Sequence, residues 1–485
     1  MNDSGISIIL ARLPEIVLAA TAVLIIIQST RTEVARTVNW ALAMVGILIA
    51  FTTVSQSFLT AGITGSVTIP DGMSRLDPVA HYSRFIVLGT LALGLLYDYR
   101  LNTRHHNQRS WLALVLIGTA GAMTAANSSH LVTLVFGLEL ISIPLYTLAM
   151  FEHTSPEARG AGIRSIIMGF ASTGFLLLGC AFYYTGTGTL SLVGSEMAVS
   201  GNIPGSIGIL LIIAALLLKG CLLPLLTWRP FPGKHCSDYG YAIMAVISST
   251  ATVICIARLM RELFASGAAD TISSSILITA FFICIGGNLL ALAQSNVKRI
   301  LAFLAVAQVG SMLAMLTSFD PDTYGAVFFL LVAWAPVYTS AFYLASLLGK
   351  HGIRNLPDLA GIGRRTPQVA GIFTLVLLSI AGLPPTVGAM AQLMLYLEAV
   401  QSKLLQVVLF VSIVNLAGIY CCLRMIAFLF MKKPSTGRSS SISSLNFTGT
   451  ARLAGWITVI VIILLGVYPA PLLYLANAAA ALMWR

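Results

Sequence analysis

The 485-residue sequence predicts an all-α integral membrane protein of about 14 transmembrane helices. Three observations carry this. Hydrophobic residues make up 57% of the chain and charged residues only 9%, against about 25% charged in an ordinary globular domain. The mean hydropathy is +0.90. The apolar residues also fall in runs of about 20, the length that crosses a hydrocarbon core about 30 Å thick. This composition excludes a soluble enzyme and a disordered chain. It excludes a nucleic-acid binder as well, despite a net charge of +11.

The runs lie near 9–28, 38–60, 80–98, 110–125, 129–151, 164–186, 205–228, 239–262, 272–294, 299–317, 324–348, 368–398, 404–431 and 452–479. In lipid every backbone polar group must be satisfied internally, so spans of this length are helices. Barrel strands would be about 10 residues long and strictly alternating. The first run opens ARLPEIVL with no basic region before it, which reads as a retained span and not a cleaved signal. The longest polar stretch, 432–451, is Ser-rich and reads as a flexible loop. Five of the seven cysteines (Cys180, Cys255, Cys284, Cys421, Cys422) sit inside apolar runs, as small hydrophobes do. No CxxC pair offers a metal or redox dithiol.

Positive charge sets the orientation. Odd-numbered loops hold 19 of the 28 Lys and Arg residues. Even loops and the termini hold seven, Arg84 and Arg258 among them, and Lys219 and Arg424 fall within spans. Lys and Arg collect on the cytoplasmic side. The odd loops are therefore expected there, with both termini on the opposite face. Glu15, near the start of span 1, is expected to reach the outer headgroups.

Two spans carry charge at depth. Glu139 is mid-span in LVTLVFGLELISIPLYTLAM, and Lys219 is mid-span in LLIIAALLLKGCLLPLLTW. A charge at the bilayer centre costs about 2.5–3.5 kcal/mol on insertion scales. One reading is a neutralising pair that fixes helix packing. The other is a proton site, since a desolvated Lys beside a Glu titrates with small movements. The two readings are compatible. Two spans also contain breaks. Gly220 and Pro224 follow Lys219 in span 7, and Gly382, Pro384 and Pro385 interrupt span 12. Proline removes a backbone donor and clashes with the preceding turn. In a membrane such a break persists only where it is buried in protein or lines a cavity. Breaks five spans apart point to two inverted repeats, as in many transporters. Gln294, Asn296, Lys298 and Arg299 form a polar hinge between spans 9 and 10. It reads as an interfacial turn or as a cytoplasmic point of proton uptake.

The segments FGLELISIPLYTLAMF, LLLKGCLLPLLTW, LALAQSNVKRILAFLAVAQVG and LSIAGLPPTVGAMAQL resemble the antiporter-like membrane subunits of respiratory complex I. The LPEIVL opening, the length and DLAGIGRRTPQ before span 12 resemble the subunit N branch of bacterial NADH:quinone oxidoreductase. The resemblance covers essentially the whole chain. It implies inverted five-helix repeats of spans 4–8 and 9–13 with broken helices 7 and 12. The chain would then divide into N-terminal spans (1–109), a first repeat (110–262), a second repeat (272–431) and a last span (452–485).

The resemblance also implies a function: coupling quinone reduction to proton translocation along a buried Glu/Lys axis. Of the family's proton-pathway residues, the span-5 glutamate matches Glu139 and the span-7 lysine matches Lys219. A basic residue early in span 6 matches Arg164, and the hinge lysine matches Lys298. Elsewhere the chain departs. The span-8 lysine position falls at Ser249 and the span-12 lysine position at Gln392. The span-10 position that often carries histidine is Gln308, and the one after the span-7 proline is Leu226. Ser and Gln hydrogen-bond water but hold no proton charge at neutral pH.

No cofactor is expected in this chain. NADH, FMN, iron–sulfur clusters and quinone are expected in other subunits. The expected partners are neighbouring antiporter-like and small membrane subunits, together with lipids, and no nucleic acid. The expected location is a bacterial inner membrane. Two alternatives stay open: a subunit of a cation/proton antiporter or membrane-bound hydrogenase, and a non-pumping structural spacer.

Overall fold

A computed structural model describes residues 11–28, 33–61, 67–68, 72–98, 108–150, 156–192, 203–220, 239–265, 269–432 and 449–484. Each of the fourteen expected spans holds helix. The helices are α1 (Leu13–Ile27), α2 (Glu33–Ala61), α3 (Pro78–Asp98), α4 (Gln108–Ala126), α5 (Leu131–Met150), α6 (Pro156–Thr187), α7 (Ile203–Lys219), α8 (Tyr239–Ala265), α9 (Ala269–Ala293), α10 (Val297–Leu316) and α11 (Pro321–Lys350). They continue as α12 (Pro367–Ile380), α13 (Val387–Gln401), α14 (Leu405–Phe430), α15 (Gly449–Val467) and α16 (Ala470–Met483). A short antiparallel pair, β1 (Val67–Thr68) and β2 (Arg75–Leu76), leads into α3.

Among the described residues, ten helices are long and apolar enough to cross a membrane. Two of the shorter apolar ones have local causes. Span 12 is divided into α12 and α13 at its Gly-Pro-Pro break, as expected. The last span divides as well: α15 stops at Val467, and Pro469 caps a separate α16. Proline at 469 and 471 cannot donate to a continuing helix. Pro224 and Leu226 lie outside the described residues, as does most of the Ser-rich loop (433–448).

Burial sorts the helices. About 89% of the apolar windows of α8 and α11 is buried, against 28% for α2, α6 and α14. The 30-residue α11 starts on an Asp320 cap that accepts from the Thr323 amide at 3.0 Å, with Pro321 at its first position. At about 1.5 Å per residue it outreaches the hydrocarbon core. It forms the axis of the molecule together with α8. The outer helices expose Phe136, Phe170, Phe282, Ile413 and Leu416, as a surface against lipid or apolar partners does.

The tightest pairs are α4 with α5, α6 with α7, and α9 with α10. Each has glycine on both helices at the crossing. These are Gly121 and Gly137, Gly179 and Gly208, and Gly287 and Gly310. Without a hydrophobic drive between helices in lipid, close backbone approach supplies the packing energy. A Cβ on Gly208 would meet the Tyr183 amide nitrogen and the Gly179 carbonyl, both backbone atoms that cannot rotate away. Gly208→Ala is therefore expected to lower stability by about 1–3 kcal/mol. Gly371→Ala, in open space on α12, should be neutral or slightly stabilising. Thermal midpoints of the purified parent complex check both.

Candidate functional site

The end of α7 meets α5 and α6 around one ion pair. The Lys219 ammonium ends α7 and donates to Glu139 Oε1 of α5 at 2.8 Å. It also donates to Thr173 Oγ1 of α6 at 3.1 Å and to Ser142 Oγ at 3.3 Å. Thr173 Oγ1 in turn lies 2.7 Å from Glu139 Oε1 and 3.0 Å from the Gly169 carbonyl, and its single proton serves one of the two. The Lys219 side chain is 2% exposed and that of Glu139 is 33% exposed. The lysine is thus fully desolvated, while the carboxylate sits at the edge of the molecule. Ser142 is one turn beyond Glu139 on α5, so both face Lys219. Thr173 and Ser142 escaped the sequence reading, because hydroxyls in an apolar span most often return their proton to the preceding turn.

The end of α7 is closed from α8. Gly220 donates to the Leu216 carbonyl at 2.8 Å, and its own carbonyl accepts from Ser249 Oγ at 3.1 Å. Ser249 also lies 2.8 Å from the Ala245 carbonyl. The residue at the resembled lysine position is thus a neutral cap on the broken helix.

The second break is fully accounted for by hydrogen bonds. The last carbonyls of a helix have no partner within it. In α12, Leu377, Leu378 and Ser379 carbonyls accept from the amides of Ala381, Leu383 and Gly382. The fourth, Ile380, accepts from Gln308 Nε2 of α10 at 3.0 Å. Gly382 holds φ +69°, and the Gln392 amide lies where its Cβ would be, so only glycine fits. Thr386 then caps α13. A cavity of about 20 Å³ is lined by Gln308, Gln392, Asn288, Asn415 and the Ile380–Ala381 turn. Asn288 Nδ2 donates to Asn415 Oδ1 at 3.3 Å, and Asn415 Nδ2 donates to the Tyr396 hydroxyl at 3.0 Å.

Lys298 begins α10 beside Gly349 at the end of α11. Asn296 caps the same helix by accepting from the Arg299 amide at 3.3 Å, and Val297 donates to the Arg354 carbonyl. This hinge is a closed turn packed on the segment after α11. Arg164 lies in α6, which starts eight residues before the expected span. Its side chain is outside the described set.

Two further ion pairs correct the reading of the charges. Arg84 is not a loop residue. It is buried in α3 and donates through Nη2 and Nε to Glu15 Oε1 at 2.7 and 3.0 Å. Glu15 therefore turns inward instead of reaching the headgroups, where Asn127 also donates to it at 3.3 Å. Arg258 of α8 donates to both oxygens of Asp77 at 2.6 and 2.7 Å and to the Ala126 carbonyl at 2.9 Å. Asp77 in turn accepts from the Ala80 amide at 2.7 Å and so caps α3. Burial alone would raise the Asp77 carboxyl. Arg258, its hydrogen bonds and Arg75 outweigh burial and hold it below the ordinary carboxylate range. The sequence signals were an Asp-Pro start to span 3 and an arginine inside it. Among the described residues, no three His, Cys, Asp or Glu side chains stand together as a metal site.

A many-helix membrane protein with a buried lysine–carboxylate pair at a broken helix is, as a class, a transporter-like or energy-coupling subunit. Residues 128–419 match the family model described as "NADH:quinone oxidoreductase/Mrp antiporter, TM". That stretch is more than half of the chain, and the chain belongs to this family. It is 29% identical to NADH-quinone oxidoreductase subunit N of Acinetobacter baumannii, over 97% of this chain and 95% of that one. The fold is shared with a chain of the archaeal membrane-bound sulfane sulfur reductase. The TM-score is 0.86 at 21% identity, covering 99% of this chain and 98% of that one. It is shared too with a chain of Thermus thermophilus respiratory complex I, at a TM-score of 0.77 and 21% identity, over 96% and 99%.

Proposed function

We propose that this chain is a membrane-arm subunit of an NADH:quinone oxidoreductase-type complex, where it couples quinone reduction to proton movement. The observation that carries the reading is the Glu139–Lys219 pair at the end of the broken α7. The Lys219 side chain is 2% exposed, so its attraction to Glu139 is poorly screened and depends on the spacing of α5 and α7. Thr173 and Ser142 hold the ammonium as the carboxylate moves. Redox chemistry belongs to partner subunits in this reading, which would carry NADH, FMN, iron–sulfur clusters and quinone. Helices α4–α8 and α9–α13 with α14 read as inverted repeats, supported by paired glycines at both the α4/α5 and α9/α10 crossings. In this reading the membrane is a bacterial inner membrane, and the positive charge of the odd loops supports both termini lying outside the cytoplasm.

The test is proton translocation per electron pair in proteoliposomes holding the intact parent complex. Glu139→Gln leaves Lys219 buried without a counter-charge and is expected to lower the yield while quinone reduction is monitored alongside. An unchanged yield and rate in a fully assembled complex would overturn the coupling role.

A further inference from the structure

The ends of α7 and α12 are each capped from a neighbouring helix and are charged differently. The first presents Lys219 and Glu139. The second presents, at the corresponding place behind its helix end, the amides of Gln308, Gln392, Asn288 and Asn415. Gln308 spends one N–H on the Ile380 carbonyl. Asn288 and Asn415 are engaged with each other, with Tyr396 and with the Cys284 carbonyl. The Gln392 amide is half-buried, lies against Gly382 and borders the cavity. It is one of four amide side chains that line this cavity. About 20 Å³ is room for one water, which needs two to four polar partners. Amides supply those partners and cannot take up a proton at neutral pH.

We propose that the second break holds a water on the Gln392 and Gln308 amides, that a translocated proton crosses this half through that water, and that the site returns to neutrality after each crossing. The inference rests on the reading of this chain as a proton-translocating subunit. In the crossing step the water oxygen gains a bond to the arriving proton. One of its own O–H bonds then breaks toward the next acceptor, so no charge remains. Gln392 is a positioning residue: it orients the water without itself exchanging a proton. The charged pair Glu139–Lys219 stands at the other break.

Two measurements on the intact parent complex test this. In proteoliposomes, Gln392→Leu replaces the amide with an apolar group and is expected to lower protons per electron pair about twofold or more. Gln392→Asn keeps an amide and should restore most of the yield, which a purely steric role for residue 392 would not predict. Assembly and quinone reduction are followed in both. A normal yield in the unsubstituted complex with an unchanged yield in Gln392→Leu overturns the inference and leaves the function standing. No translocation by the unsubstituted complex overturns the function and, with it, the crossing. In a cryo-EM map that resolves ordered waters, a water peak is expected within hydrogen-bonding distance of the Gln392 amide. Its absence beside other resolved waters overturns the inference by itself.

Discussion

Lys219→Ala is expected to give an assembled complex that reduces quinone but moves fewer protons per electron pair. The change removes the cation and leaves Glu139 Oε1 with only the Thr173 hydroxyl, 2.7 Å away. The site then lacks the charge pair on which the proposed coupling rests. Breaking a buried pair by removing one member costs about 3–5 kcal/mol. Solvent screening of a carboxylate that is 33% exposed discounts part of that, so the complex should still assemble, at reduced levels. Lys219→Arg keeps the charge but trades a compact ammonium for a wide fork. It should recover assembly more fully than yield. A Glu139→Gln/Lys219→Met double variant separates packing from coupling: it should assemble better than Glu139→Gln alone and still fail to translocate. Yield equal to the unsubstituted complex in Lys219→Ala would reduce the pair to a packing device.

Arg258→Leu is expected to deplete the assembled protein from membranes. Asp77 is 1% exposed, and Arg258 meets both its oxygens. Losing the guanidinium leaves a buried carboxylate that also caps α3 with Arg75 at 3.7 Å and the Ala80 amide as partners, a loss of up to about 3–5 kcal/mol against a total stability of only about 5–15 kcal/mol. The paired change Asp77→Asn/Arg258→Met removes both charges, keeps a capping side chain and should recover much of the protein. Immunoblot levels and thermal midpoints read both outcomes; equal levels for Arg258→Leu and the unsubstituted chain would show the clasp to be dispensable. The pH dependence has a definite sign. The folded Asp77 carboxyl is held below its ordinary value of 3.8. Its stabilisation is therefore full above the ordinary carboxylate range and is lost as pH falls below that value through the lowered folded one. Neutral and mildly acidic buffers should leave the clasp intact.

Most of the fold was legible because lipid simplifies the problem. A span must be apolar, long and helical, so runs of hydrophobic residues give helix count and position directly. The breaks were legible for the same reason, since Gly382, Pro384 and Pro385 leave backbone groups that a membrane cannot solvate. Charge at depth singled out Glu139 and Lys219. Arg84 misled because position near a predicted boundary does not distinguish a loop arginine from a buried one; its partner, Glu15, is 69 residues away. The division of the last span at Pro469 was written in the sequence, but its apolar residues on both sides hid it.

The sequence by itself determined that the chain crosses a membrane many times, where it bends, and which two residues pay for charge in lipid. Those properties follow from single residues and their solvent. Only the tertiary structure decided what meets what. It seats Thr173 and Ser142 around Lys219, lays Ser249 and Gln308 over the carbonyls of the two broken helices, and closes Asp77 on Arg258 across 181 residues. Side-chain hydrogen bonds reach only about 3 Å, so such pairs exist only after helices have packed. Packing depends on the whole set of glycine crossings and apolar faces at once.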